Sequence, residues 1–207
     1  CVAVGERFSR ETIPFGTNGD VSLNNISFND NGEMVLDINP IGTICLPLYA
    51  EAHAQNVLLA VAVGLRHGIT EFEAPLRAAC SSTSRFNIHS LLGREIIDDT
   101  YNANPDSMRV AIEALSTRPC AGQRIAVLGG MLELGEEAES LHYKTGYELG
   151  KHGITKALVR GPYAEAIVAG ALESGVVQAQ FVEKHVDMAK ELAQSSQPGD
   201  VILFKGS

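Results

Sequence analysis

The feature that most constrains the fold is a regular alternation that sets in after residue 85 and continues to the last residue. Apolar runs of strand length, FNIHSLL, REIIDD, RIAVLG, KALVR, AQFVE and VILFKG, occur in that order. From REIIDD onward they are separated by segments of helical periodicity over about 105–117, 136–152, 163–173 and 186–194. Strands spaced by single helices fit one sheet when they run parallel and each helix crosses back over the sheet. The expected fold is therefore α/β, a Rossmann-like layer sandwich whose ligands gather at the carboxyl ends of the strands. Those ends carry Asp98-Asp99, Gly129-Gly130, Arg160-Gly161 and Lys205-Gly206.

The first part of the chain has a different grammar. VSLNNISF, EMVLDI and TICLPL read as short antiparallel strands, with NDNG as a turn between the first two. From about Glu51 to His67 the pattern is helical and apolar almost all round (VLLAVAVGL), with Gly68 placed as a C-cap and a second short helix over Glu71 to Ala79. A helix without a polar side is expected to be enclosed by something larger. The small, polar stretch CSSTSR, 80–85, reads as a linker, which divides the chain into residues 1–82 and 83–207.

Composition excludes several classes. With 207 residues, 45% of them hydrophobic, the chain can bury a sizeable core. A formal charge of −9 leaves no basic stripe to neutralise a phosphate backbone, so no nucleic-acid partner is expected. The longest apolar run, around Val57 to Leu65, is about half of the ~20 residues a membrane helix needs. No signal peptide is visible, and the expected location is cytoplasmic, without membrane insertion. Cys1, Cys45, Cys80 and Cys120 lack paired spacing and read as reduced structural thiols, and no histidine pair has ligand spacing, so no metal site is expected in this chain. The chain starts at Cys1 inside an apolar alternating stretch and stops directly after a strand-like run; both ends read as cut from a longer protein.

The strongest local motif is IIDDTYNANPDSM, Ile96 to Met108. An apolar strand ends in two aspartates, an asparagine-rich loop follows, and Pro105 opens a helix with Asn104 at the N-cap position. Capping accounts for part of this composition. A carboxylate at the end of a strand is also placed to bond ribose hydroxyls, beside helix N–H groups that favour an anion. FGTNGD, Phe15 to Asp20, has the look of a phosphate loop, but a carboxylate stands where a lysine is required and a strand follows, so it reads as a turn. No G-x-G-x-x-G is present, which argues against a dinucleotide site. Glu133, Glu136, Glu137 and Glu139 fit a helix start, and His142 reads as a partly exposed helix residue within reach of a ligand.

Taken together, LPLYAEAHAQNVLLAVAVGLRHGI, TSRF, DDTYNANPDSM, RIAVLGGMLELGEEAESLH and VILFKGS resemble, in order along the chain, segments of the Mur ligase family. Within that family they are most similar to the type that adds D-alanyl-D-alanine to a UDP-linked muramoyl tripeptide. The resemblance implies that residues 1–82 are the distal part of a central ATP-binding domain and 83–207 the Rossmann-like C-terminal domain. It assigns Asn56, Arg85 and Asp99 to the ATP adenosine, with Arg85 at a Ser84-Arg85 hinge and Asp99 on ribose. Tyr101, Asn102, Asn104 and Ser107 would face the amine substrate or the nucleotide, and Lys205 or Ser207 would hold the substrate carboxylate. The family's pattern is broken at Ala52, His53, Ser84 and Gly130.

The implied reaction is amide-bond formation through an acyl phosphate, with ATP and magnesium as cofactors and the UDP-N-acetylmuramoyl-tripeptide and D-alanyl-D-alanine as substrates. The phosphate-loop lysine and the magnesium-binding acid are expected upstream of Cys1, so no catalytic residue is assigned in this chain and it is expected to be inactive by itself, in a protein that is a monomer. Two alternatives stand beside this: another ligase of the superfamily, such as a folylpolyglutamate synthase, or a Rossmann-type nucleotide-binding module.

Overall fold

A computed structural model describes Phe15, Gly16 and residues 19–81 and 86–207. The chain divides into two compact units, Cys1–Thr83 and Ser84–Ser207.

In the first unit, β1 (Ser22–Phe28), β2 (Met34–Asn39) and β3 (Gly42–Leu46) form an antiparallel meander in the order β1-β2-β3. A 3-10 turn, Glu51–His53, leads into α1 (Ala54–Arg66), and α2 (Glu73–Ser81) follows. Alternate residues of β2 and β3 point to one face, and Met34, Leu36, Ile38, Ile44 and Leu46 meet Leu58, Val61 and Phe72 there. The helix that reads as apolar all round buries only one side among the described residues. Leu59 and Val63 stay about half exposed. Of the FGTNGD turn, Thr17 and Asn18 lie outside the described residues. Its flanks are tied by a Gly16 N–H bond to the Val21 carbonyl and a bridge between Phe15 and Val21.

The second unit holds a six-stranded sheet in the order β4-β5-β9-β6-β7-β8. Its strands are β4 (Asn87–Leu91), β5 (Arg94–Asp99), β6 (Arg124–Leu128), β7 (Lys156–Val159), β8 (Gln178–Phe181) and β9 (Val201–Lys205). The helices are α3 (Pro105–Thr117), α4 (Ala138–Lys151), α5 (Ala164–Glu173) and α6 (His185–Ser195). β5 to β9 are mutually parallel, as the alternation demands. β4 is the exception: it pairs antiparallel with β5. Only Leu92 and Gly93 connect the two, both at positive φ, and a two-residue connection makes a hairpin and cannot make a crossover.

Right-handed crossovers put α3, α4 and α5 on one face and α6, whose connection runs back across the sheet, on the other. The α6 face carries Ile125, Val127 and Ile202 against Met188 and Leu192. No helix among the described residues is long and apolar enough to cross a membrane. Cys45, Cys80 and Cys120 remain thiols, and burial pushes those of Cys45 and Cys80 up, which suits structural roles. Cys1 lies outside the described residues.

Candidate active site

The site is built where β5 and β9 end side by side. Asp99 and Lys205 are register partners in this parallel pair. The Lys205 side chain is almost wholly buried; its Nζ donates to Asp99 Oδ2 at 2.6 Å and to the Asn102 carbonyl at 3.1 Å. Asp99 Oδ1 accepts the Phe86 N–H at 3.3 Å. A buried ammonium is tolerable only with such a partner set, so the pair closes the two strand ends into one polar cluster.

Ser207 extends that cluster. Its Oγ accepts the Ala103 N–H at 2.9 Å and lies 3.0 Å from Asn102 Oδ1 and 3.2 Å from the Ala103 carbonyl. The one hydroxyl proton serves either of the last two. The loop after β5 is thus fastened to the end of β9, about a hundred residues later in the sequence. Asp98 turns back on the loop and accepts from the Thr100 N–H and Oγ1 at 3.1 and 2.7 Å.

The sequence-predicted residues fare differently. Asp99, Asn102, Lys205 and Ser207 come together as described. Asn104 and Ser107 form a reciprocal capping box at the start of α3: Asn104 Oδ1 accepts the Ser107 N–H at 2.8 Å, and Ser107 Oγ accepts the Asn104 N–H at 3.0 Å. Tyr101 is exposed on the same loop. Asn56 lies exposed in the first turn of α1, in the other unit. Arg85 lies outside the described residues, as does Ser84, so the hinge does too.

Sequence reasoning missed two features. Lys205 reads as holding the substrate carboxylate, yet it is buried against Asp99 by the parallel register that sets the two opposite each other, which no local pattern states. His142 reads as a partly exposed helix residue, and it is fully buried. Its Nε2 lies 2.8 Å from the Met131 amide nitrogen and its Nδ1 2.6 Å from the Ala138 carbonyl.

The turn after β6 completes the wall. Gly129 N–H donates to the Lys205 carbonyl at 2.7 Å, and Ser207 N–H donates to Gly130 O at 3.2 Å. The backbones touch so closely that a Cβ on Gly206 would stand 2.8 Å from Gly129 Cα, which only glycine allows. Beside these strand ends opens a cavity of about 770 Å³ between α6 and the sheet. Its body is apolar (Ile96, Val127, Met188, Phe204), and its walls include Thr100, Arg160, Lys205 and Ser207. Arg160 donates from Nε to the Glu183 carbonyl at 3.1 Å, and its Nη1 lies 2.8 Å from His185 Nε2. Among the described residues no group of three or more His, Cys, Asp or Glu gathers where it could hold a metal ion.

Comparison with known proteins gives a consistent set of relatives. The family model "Mur ligase, glutamate ligase domain" matches residues 84–207. The UDP-N-acetylmuramoyl-tripeptide--D-alanyl-D-alanine ligase of Escherichia coli (strain K12) is 31% identical over 210 residues, covering 99% of this chain and 45% of the relative. Crystal structure II of MurF from Acinetobacter baumannii superimposes with a TM-score of 0.85 at 28% identity, over 100% of this chain and 46% of that one. The MurF ligase from Thermotoga maritima in complex with ADP gives 0.77 at 27% identity, over 100% and 47%. The chain spans a little under half the length of the curated relatives it matches.

Proposed function

The chain belongs to the Mur ligase family, and on that premise we propose that it forms the distal part of a ligase that uses ATP to join D-alanyl-D-alanine to UDP-N-acetylmuramoyl-tripeptide in peptidoglycan synthesis. Residues 1–82 would belong to the ATP-binding domain and 83–207 would be the C-terminal ligase domain. ATP phosphorylates the terminal carboxylate of the tripeptide, the free amine of the dipeptide attacks the activated carbonyl, and phosphate leaves. Activation is required because a carboxylate is a poor electrophile. Magnesium would neutralise charge on the ATP phosphates.

The observation that carries this reading is the meeting of two distant motifs, IIDDTYNANPDSM and VILFKGS, at one sheet edge through the Asp99–Lys205 and Ser207–Ala103 contacts. There the proposed roles can be filled. The Asp99 carboxylate uses two of its about four acceptor positions within the protein, which leaves others for ribose hydroxyls. Asn56 and Arg85 would complete the adenosine site. Asn102 and Ser207 present uncharged polar groups that suit a dipeptide whose amine must stay unprotonated to attack; Tyr101, Asn104 and Ser107 border them. Lys205 acts through Asp99, and so holds the nucleotide side of the site in shape.

The test uses a full-length ligase that carries this chain. Phosphate release should require the tripeptide nucleotide and D-alanyl-D-alanine together, and Asp99→Asn should raise KM for ATP about tenfold or more. The 207 residues alone should show no turnover. Phosphate release with glutamate in place of the dipeptide, or turnover by the 207 residues alone, would refute the proposal.

A further inference from the structure

His142 is the one fully buried histidine among the described residues, and its two contacts fix its chemical form. A backbone carbonyl only accepts, so Nδ1 carries the proton that it shares with Ala138 O; a backbone N–H only donates, so Nε2 is bare and accepts from Met131. The ring also lies against Tyr163, with centroids 5.0 Å apart. Tyr163 stands in the left-handed region at the start of α5. A single side chain therefore grips the turns that follow β6 and β7.

Those turns are what the site rests on. Met131 follows Gly129 and Gly130, which are bonded to Lys205 O and Ser207 N–H. Lys205 in turn holds Asp99, and Ser207 holds the Asn102–Ala103 loop. On the other side, a Cβ on Gly130 would meet the Pro162 carbonyl at 2.8 Å. The glycine turn is thus pressed between the end of β9 and the loop after β7, and the Met131–His142 bond anchors it to the interior of α4. Without an acceptor there, the Met131 N–H would be buried and unpaired, and the turn would shift to find one.

We propose that His142 is a positioning residue: through the acceptor nitrogen on Met131 it sets the glycine turn under Lys205–Ser207, and so fixes the affinity of this sheet edge for the amine substrate without touching it. The assignment of that substrate rests on the function proposed above; the grip on the turn does not.

Two variants separate acceptor from bulk. In His142→Gln the amide oxygen reaches close to the position of Nε2 and keeps the bond; His142→Asn, one methylene shorter, reaches Ala138 but not Met131. Amide hydrogen exchange in the second unit reads the turn directly. Met131 and Ser207 should exchange about tenfold faster in His142→Asn than in wild type or His142→Gln, while Val127 in the neighbouring strand moves less. A purely structural role would speed Val127 equally and would overturn the proposal. In a full-length ligase, KM for D-alanyl-D-alanine should rise about tenfold in His142→Asn and return to near wild type in His142→Gln, with kcat changed much less. Unchanged KM, or Gln as impaired as Asn, would overturn it. If neither variant folds, nitrogen-15 NMR of the wild-type imidazole decides: a bare Nε2 is expected, and a protonated one would sink the idea. A full-length protein that ligates no dipeptide would remove the function proposed above and leave the exchange result standing.

Discussion

Lys205 behaves against its residue type: a terminal-strand lysine is ordinarily solvated, and this one is almost wholly buried. Its removal would leave the Asp99 carboxylate partly buried without its cation. Lys205→Met should therefore cost about 3 kcal/mol in urea unfolding of the second unit. The double variant Lys205→Met with Asp99→Asn should recover part of that loss, since a lone charge is the main penalty. Equal stability of the single variant and wild type would mean that the pair contributes nothing. Glu33 in the first unit gives a pH-dependent case. Hydrogen bonds from Arg77 first, then from Asn29, hold its carboxyl below the ordinary 4.5. A depressed folded-state value means that the stabilisation is complete above 4.5 and is lost as pH falls below it. Glu33→Gln should destabilise by about 1 kcal/mol at neutral pH, with the gap to wild type closing in acid. A gap that stays constant with pH would contradict the ion pair. Asp99 was legible from its place at a strand end, whereas the burial of Lys205 was not, because burial depends on what a register places opposite.

Helix α3 shows how far an element can be read from its own residues. Its start and end follow from Asn104 at the cap, Pro105 at the first turn and the apolar spacing of Met108, Ile112 and Leu115. The side chain of Asn104 is spent on the Ser107 N–H, so Asn104→Ala should cost about 1 kcal/mol in unfolding free energy. If Asn104 also touches substrate, KM of a full-length ligase would rise beyond what the stability loss explains; stability and KM measured together separate the two roles. The α4–α5 pair was less legible. Both helices are amphipathic by pattern, but their approach is set by glycine: a Cβ on Gly146 would come within 1.9 Å of the Ile167 carbonyl. Gly146→Ala should force the helices apart at a cost of about 3 kcal/mol, visible as a lowered Tm. An unchanged Tm would mean that the pair can slide to make room. The antiparallel direction of β4 in the hairpin β4–β5 was not legible either, since a strand's own residues do not state the direction of its neighbour.

Among the described residues the second unit holds a six-stranded sheet and four helices, and its strand order keeps each parallel pair internal to it. Residues 84–207 produced alone should therefore fold cooperatively, with a single urea transition by circular dichroism and by fluorescence of its tyrosines. Non-coincident transitions would show that the unit needs more of the protein. What the sequence by itself determined is local in origin: element type and order, the capping of α3, and the parallel sheet that alternating strands and helices require. These depend on periodicity and on neighbours within a few residues, which the chain states directly. Only the tertiary structure decided that Lys205 faces Asp99, that Ser207 fastens the loop after β5, and that His142 turns inward onto Met131. Each of these joins elements far apart in sequence through strand register or a close backbone approach, and no local pattern encodes which distant atom will complete a buried hydrogen bond.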